Sequence, residues 1–316
     1  MAQFGIEDDH GILRIEGGYA LGDATGRCTL MPESDAILCG DACFVDLRLT
    51  NTAAAVITPS TNPNCLYRLH YDAPVRVALA GLNVLHDYAA DSLILHDGHD
   101  FFCPGMIRAN SVRYTRQMTM SVPSRTVWNS LSLPFEPSET SEPLGLFIPV
   151  ADEPGYIFVD ETTELRPYVP YFVRLAYDST AALRHDVTFS AGSCILSRTP
   201  DNPMRKGEVY SVSTTCRQQE IEDAMVLSPH NDYYIKPGPV ATVEPFSLWI
   251  KGETNFTDML GSVILRPNGP TGTEEVLATP QTSEDNAWYT VTGIRLGSKP
   301  TQPGAYIHNR KVEIVR

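Results

Sequence analysis

Between residues 111 and 135 the chain reads SVRYTRQMTMSVPSRTVWNSLSLPF. Its first half alternates without a break. Val112, Tyr114, Met118, Met120 and Val122 fall on one face, with Arg116 the only charge among them. Ser111, Arg113, Thr115, Gln117, Thr119 and Ser121 fall on the other. A period of two over this length predicts a strand with one buried and one wet face. Pro123-Ser124 punctuates it, and a second strand follows in which Asn129, Leu131, Leu133 and Phe135 share a face. The stretch reads as the seam where a small N-terminal domain passes into an all-β domain. A long strand shared across it leaves no room for a flexible linker.

The 316 residues suit two domains, each of about 100–200 residues. Pro and Gly are scattered between short apolar runs, which favours many strands joined by turns. Before residue 110 the candidate strands are 11–16, 43–49, 54–58, 65–69, 75–79, 93–95 and 101–103. Asn62-Pro63-Asn64 and Asp97-Gly98 are strong turn signals, and 88–92 is a weak candidate for a short helix. No clean repeat period is visible, so a solenoid is not expected. From 111 onward the strand candidates lie at 146–150, 156–159, 170–177, 187–191, 208–213, 232–236, 240–251 and 262–266. Where their alternation is clear they carry one apolar face, and such strands need a second sheet to cover them, which predicts an antiparallel β-sandwich. Residues 219–225 are the best helical candidate. Residues 267–286 read as a linker or surface loop, and 288–296 with 306–316 as a closing hairpin with a long connection. The expected organisation is all-β: an N-terminal β-rich domain of short strands over 1–110, a β-sandwich over 111–266, and a loop plus C-terminal β-hairpin, available to dock on the sandwich, over 267–316.

The net charge of −14, with no compensating Lys/Arg cluster, argues against nucleic acid as a partner. No apolar run reaches the ~18–20 residues that span a bilayer. The first residues show neither a basic nor an apolar signal region, so the expectation is either a cytosolic protein or an export signal missing from this sequence. Seven cysteines are too few and too irregular for a disulfide scaffold, and their pairing stays open. Cys39 and Cys43 have loose metal-ligand spacing, but no second Cys/His pair accompanies them, so no zinc site is expected.

Several constellations carry residues of the right chemistry. His86, Asp87, Asp91, His96, Asp97, His99 and Asp100 are zinc or calcium ligand types. His96 and His99 flank an Asp-Gly turn, however, which favours a solvated turn over a metal centre. Gly192-Ser193-Cys194, with His185 and Asp186 nearby in sequence, is the nearest approach to a nucleophile turn, yet it lacks the G-x-S-x-G elbow. The paired carboxylates Asp152/Glu153, Glu161/Glu164 and Glu274/Glu275 read as solvated loops. No phosphate loop or dinucleotide fingerprint is present, and no cofactor is expected. The aromatic residues give the only binding signal. Trp128 and Trp249 point away from the apolar faces of their strands, and Tyr233-Tyr234 sits beside a Pro-Gly-Pro turn. Exposed rings of this kind stack on sugars or anchor protein contacts. The competing reading is that a further layer covers them.

Several segments are also familiar in sequence. Trp128-Asn129-Ser130-Leu131-Ser132-Leu133-Pro134-Phe135 resembles the "WNTLCLPF" strand of secreted and cell-surface proteins of the Bacteroidetes. Arg166-Pro167-Tyr168-Val169-Pro170-Tyr171-Phe172-Val173 is similar to their "KPYLV" strand, and Val243-Glu244-Pro245-Phe246-Ser247-Leu248-Trp249-Ile250 to "PPFRAYF". Upstream, Asn62-Pro63-Asn64-Cys65-Leu66-Tyr67 resembles "NPNCLYY", residues 93–102 resemble "LVLTDGYDFY", and 109–116 resemble "AKSATYTR". The tail resembles the closing hairpin of the same proteins, with Arg310 in place of the usual glycine. The resemblance implies a modular extracellular protein, often with leucine-rich or immunoglobulin-like repeats upstream. It also implies an extracellular or cell-surface location, with protein or glycan partners. The expected function is therefore a non-enzymatic surface module for display, adhesion or protein–protein contact. The alternative is a glycan-binding module using Trp128, Trp249, Tyr233 or Tyr234, and a weaker one is a hydrolase.

Overall fold

The computed structural model describes residues 3–7, 12–16, 36–48, 56–69, 81–178, 182–201, 203–252, 262–267, 288–290, 295–296, 304–308 and 311–315. Every regular element among the described residues is a strand, so the chain is all-β. It divides into two compact units, Met1–Gly269 and Pro270–Arg316. Position 110, where the sequence suggested a domain boundary, lies inside the strand Ile107–Thr119.

That strand is the axis of the first unit. Val112, Tyr114, Met118 and Met120 are buried, whereas Arg113 and Gln117 are exposed, as the period-two pattern predicts. Over its whole length it pairs antiparallel with Arg184–Leu196, from Ile107 opposite Leu196 to Thr119 opposite Arg184. A bridge between Val122 and Arg125 closes a tight turn over Pro123-Ser124, and the chain enters the next strand, Asn129–Leu131, without a linker.

On the other side of the seam strand the chain stacks parallel rungs. Ile12–Glu16, Phe44–Arg48, Leu66–Leu69 and Asn83–His86 follow one another in parallel register, and Leu93–His96 runs parallel to the seam strand itself. Ala36–Leu38 and Val56–Thr58 form a second parallel pair. The chain thus carries a short stack of parallel rungs, short of the full solenoid that the sequence argues against. The rungs begin at residues 12, 44, 66 and 83, and this uneven spacing hides the repeat from a search for a fixed period.

Asparagine amides tie the rungs together. Asn64 Nδ2 donates to the carbonyls of His96 (2.9 Å) and His99 (2.8 Å), and its Oδ1 accepts from His96 N (2.7 Å). Asn83 Nδ2 donates to Pro63 O (3.2 Å) and Ile94 O (3.0 Å), and its Oδ1 accepts from Ile94 N (2.7 Å). Each amide is buried and satisfies backbone groups that a regular ladder would leave open.

Three layers of sheet make up the rest of the unit. The large sheet contains the rungs, the seam strand and Arg184–Leu196. The middle sheet runs in the order Asn129–Leu131, Tyr171–Leu175, Leu144–Glu153, Tyr156–Thr162, Ser262–Pro267, Tyr234–Ile235, Val226–Leu227. Its pairings are antiparallel except between Tyr156–Thr162 and Ser262–Pro267. One apolar cluster joins Val112, Tyr114 and Phe189 of the large sheet to Leu131, Leu146 and Tyr171 of the middle one. A second cluster joins Trp128, Phe147 and Phe172 to Val212, Leu248 and Ile250 of a third sheet, formed by Met204–Lys206, Tyr210–Thr215 and Ser247–Gly252. The middle sheet is thus buried on both faces, one layer more than a two-sheet sandwich needs.

Two helical expectations fail. Residues 219–222 form the strand Gln219–Glu222, paired antiparallel with Val240–Val243, because cross-strand pairing outweighs the helix preference of Gln and Glu. Residues 88–90 form a turn after Asp87, in the left-handed region, and the short strand Ala89–Ala90. The strand expected at 75–79 lies outside the described residues. In the second unit, Arg295–Leu296, Trp288–Thr290, Gly304–His308 and Lys311–Val315 form an antiparallel four-stranded sheet in that order. Positions 309–310, including Arg310, lie outside the described residues.

Candidate functional site

A cleft of the first unit opens at the C-terminal end of the seam strand, with a volume of about 370 Å³. That is within the range of small-ligand sites. Arg116, Gln117 and Thr119 come from the seam strand, and Asn129 and Ser130 from the strand after the turn. Thr242, Glu244 and Ser247 close another side, and Arg184 comes from the strand paired with the seam.

Arg116 is held in place before any ligand arrives. It stands on the apolar face of its strand, so its guanidinium is drawn inward and needs partners. Nη1 donates to the Phe246 carbonyl (2.8 Å), Nη2 donates to Ser247 Oγ (2.9 Å), and Nε lies 3.7 Å from Asp97 Oδ2. The other Asp97 oxygen accepts from the Tyr114 hydroxyl at 2.6 Å. Burial pushes the Tyr114 phenol well above its ordinary value, so it stays a donor. The group thus ties a turn of the rung stack to the seam strand and to the third sheet.

Phe246 is the strained member of this group. It is buried and has φ 57°, a left-handed conformation that costs a non-glycine residue on the order of 1–3 kcal/mol. Its ring packs 4.7 Å from Tyr114, centroid to centroid, and its carbonyl accepts from both Arg116 and Ser132 N (3.0 Å). These contacts hold the conformation in place.

The strand edge inside the cleft is unevenly paired. Alternate residues of the seam strand direct their backbone groups away from Arg184–Leu196. Ser111 N donates to Asp91 O, and pairing with Leu93–His96 ends at Thr115. At Thr119 the Asn129 amide takes the place of a strand: Thr119 N donates to Asn129 Oδ1 (2.8 Å) and Asn129 Nδ2 to Thr119 O (2.9 Å). Ser121 N donates to Leu175 O. Between these, the backbone of Gln117 has no partner on this edge among the described residues.

The residues singled out in the sequence lie elsewhere. Trp128 is buried, packed edge-on against Phe147 (5.3 Å) and Phe172 (6.4 Å). Tyr234 is fully buried against Phe172, and its hydroxyl has no hydrogen-bond partner among the described residues. Trp249 packs with Ala224, Ala241 and Val243 and borders a second cavity of only about 80 Å³. Tyr233 is half-buried. Of the two readings of these rings, the covering layer holds for Trp128, Trp249 and Tyr234: the layer beyond their strands covers the faces that alternation leaves open.

Ser193 stands in the left-handed region (φ 49°), but it shares the strand Arg184–Leu196 with His185. Eight residues of extended strand span roughly 26 Å, so the two side chains do not meet. Among the described residues no group of three or more His, Cys, Asp or Glu side chains converges as a metal site. His96 and His99 flank Gly98, whose φ of 72° makes the Asp97-Gly98 turn, and their carbonyls face Asn64. Cys39, Cys43, Cys65, Cys103 and Cys216 are buried free thiols, Cys194 is half-buried, and Cys28 lies outside the described residues.

Asp152, read in the sequence as solvated, is a structural clasp. Its carboxylate accepts from the backbone N–H groups of Glu208 (2.9 Å), Val209 (2.8 Å) and Tyr210 (2.6 Å). No family model, curated protein or solved structure matches the chain.

Proposed function

We propose that the chain is a non-enzymatic surface module, serving in display, adhesion or protein–protein contact, of the modular extracellular kind its sequence motifs resemble. The observation that carries this reading is the stack of parallel rungs leading into the seam strand. Such stacking is how repeat arrays bury their apolar faces and extend a binding surface. It fits proteins in which leucine-rich repeats precede a β-structured C-terminal region. The Arg116–Asp97–Tyr114 group supports the same reading, since it joins rungs and layers and gives the surface a fixed shape.

Neither alternative gains comparable support. Stacking on a sugar needs an open ring face, and of the four candidate rings only Tyr233 is even half-exposed. A hydrolase built on Ser193 would find His185, the base its sequence suggests, eight strand residues away. The test is genetic. Deleting the gene in its host is expected to reduce attachment to protein-coated surfaces, with attachment restored by the full chain. Unchanged attachment together with a loss of hydrolytic activity would overturn the proposal.

A further inference from the structure

Among the described residues, the cleft at the end of the seam strand has an unpaired stretch of strand edge, a cation without an ionic partner, and a lining that mixes polar side chains with Val226, Leu227 and Leu248. Each constrains what it accepts. At Gln117 one N–H and one C=O of the strand edge are left open between pairings on either side. An extended peptide fills such a gap by presenting one carbonyl and one N–H in strand geometry. A saccharide has no backbone of matching spacing.

The second constraint is charge. Arg116 is tied to Asp97, Phe246 and Ser247, so it shapes the cleft without being released to a ligand. Arg184 also lines the cleft, is exposed, and makes no ion pair among the described residues. It stands on a chain whose net charge is −14, so a cation here is set against the general field. Glu244 lines the same cleft and repels a run of negative charge, leaving room for a single carboxylate. Asn231, Thr242 and Ser247 supply further polar groups.

We propose that this cleft binds a short extended peptide segment with one acidic side chain, its backbone docked on the edge at Gln117 and its carboxylate on Arg184. The proposal rests on the protein-contact reading above and names its site and partner chemistry. It makes Gln117 and Arg184 binding residues and Arg116 a positioning residue.

The test is a two-dimensional amide NMR titration of the isotope-labelled full chain with acetyl-Ala-Asp-Ala-amide. The controls are the Lys counterpart, the Asp peptide with its amides N-methylated, and glucuronic acid. The expected result is a saturable shift of the Gln117 amide with the Asp peptide. Affinity should fall about tenfold on N-methylation, which leaves edge groups unpaired. It should fall about threefold for Arg184→Ala, since exposed charge pairs are worth little more. Arg184 is exposed, so the variant keeps its fold, and unchanged spectral dispersion verifies this. No saturable shift at Gln117, equal response to all three peptides, or a response to glucuronic acid alone would overturn the proposal. Such a failure with the protein still found on the cell surface would refute the cleft assignment and leave the surface reading standing.

Discussion

Replacing Gly207 by alanine isolates the contribution of the Asp152 clasp. The Gly207 backbone lies outside the left-handed region, so alanine meets no intrinsic strain there. A Cβ at this position would stand 2.7 Å from Asp152 Cγ and 2.8 Å from Oδ1, and closer still to Oδ2. The carboxylate must therefore leave the N–H groups of Glu208, Val209 and Tyr210. Hydrogen bonds to a charged group contribute ~1.5–3 kcal/mol each, but the exposed Glu208 N–H regains water, so a net loss of about 3 kcal/mol is expected. For a domain of this size that lowers Tm by roughly 6–12 °C. Asp152→Ala should cost a similar amount. The double variant should cost no more than Asp152→Ala alone, because the clash vanishes with the carboxylate. Urea denaturation of the four proteins reads this directly. A loss below about 0.5 kcal/mol for Gly207→Ala, or strict additivity in the double variant, would refute the reasoning.

Three further outcomes follow from the same structure. Arg116→Ala removes one of two partners from the Asp97 carboxylate and from the Phe246 carbonyl, and with Asp97 33 % exposed it should cost about 2–3 kcal/mol in chemical denaturation; a cost under about 0.5 kcal/mol would contradict the role given to this group. Asn64→Asp keeps the acceptor for His96 N but loses both donors to His96 O and His99 O, and should destabilise by about 2–3 kcal/mol. Hydrogen exchange should then accelerate first in Leu93–His96. Burial raises the thiols of Cys39 and Cys103 from 9.0 to about 12, and that of Cys43 to about 11. The unfolded chain therefore releases these protons first as pH rises, so the thiols' contribution to stability is level up to about pH 9.0 and falls between there and about 12. Denaturation midpoints across that range check the sign, and a midpoint that rises would contradict it.

Local pattern made part of this fold legible. The seam strand, the turn at Pro123-Ser124, the Asp97-Gly98 turn and the strands of the middle sheet other than Val226–Leu227 follow from alternation and turn chemistry. What escaped depends on distant partners. Arg116 is visible as a lone charge on an apolar face, but its carbonyl acceptor lies 130 residues downstream. Trp128 points away from Leu131 and Leu133, as its position predicts, yet a third sheet waits on that side. Gln219–Glu222 has helix-prone residues and becomes a strand only because Val240–Val243 pairs with it. The clasp at Asp152 is made by three backbone donors from another hairpin, which no composition of the Asp152 segment announces.

The proposed role places this rung-and-layer body outside the cell, in contact with other proteins. Treating intact cells of the native host with a membrane-impermeant amine-reactive biotin tests it most directly. The described residues include the exposed Lys206 and Lys251 as acceptors. The account predicts that the chain is labelled on intact cells while a cytoplasmic marker is not. Labelling only after lysis would contradict it.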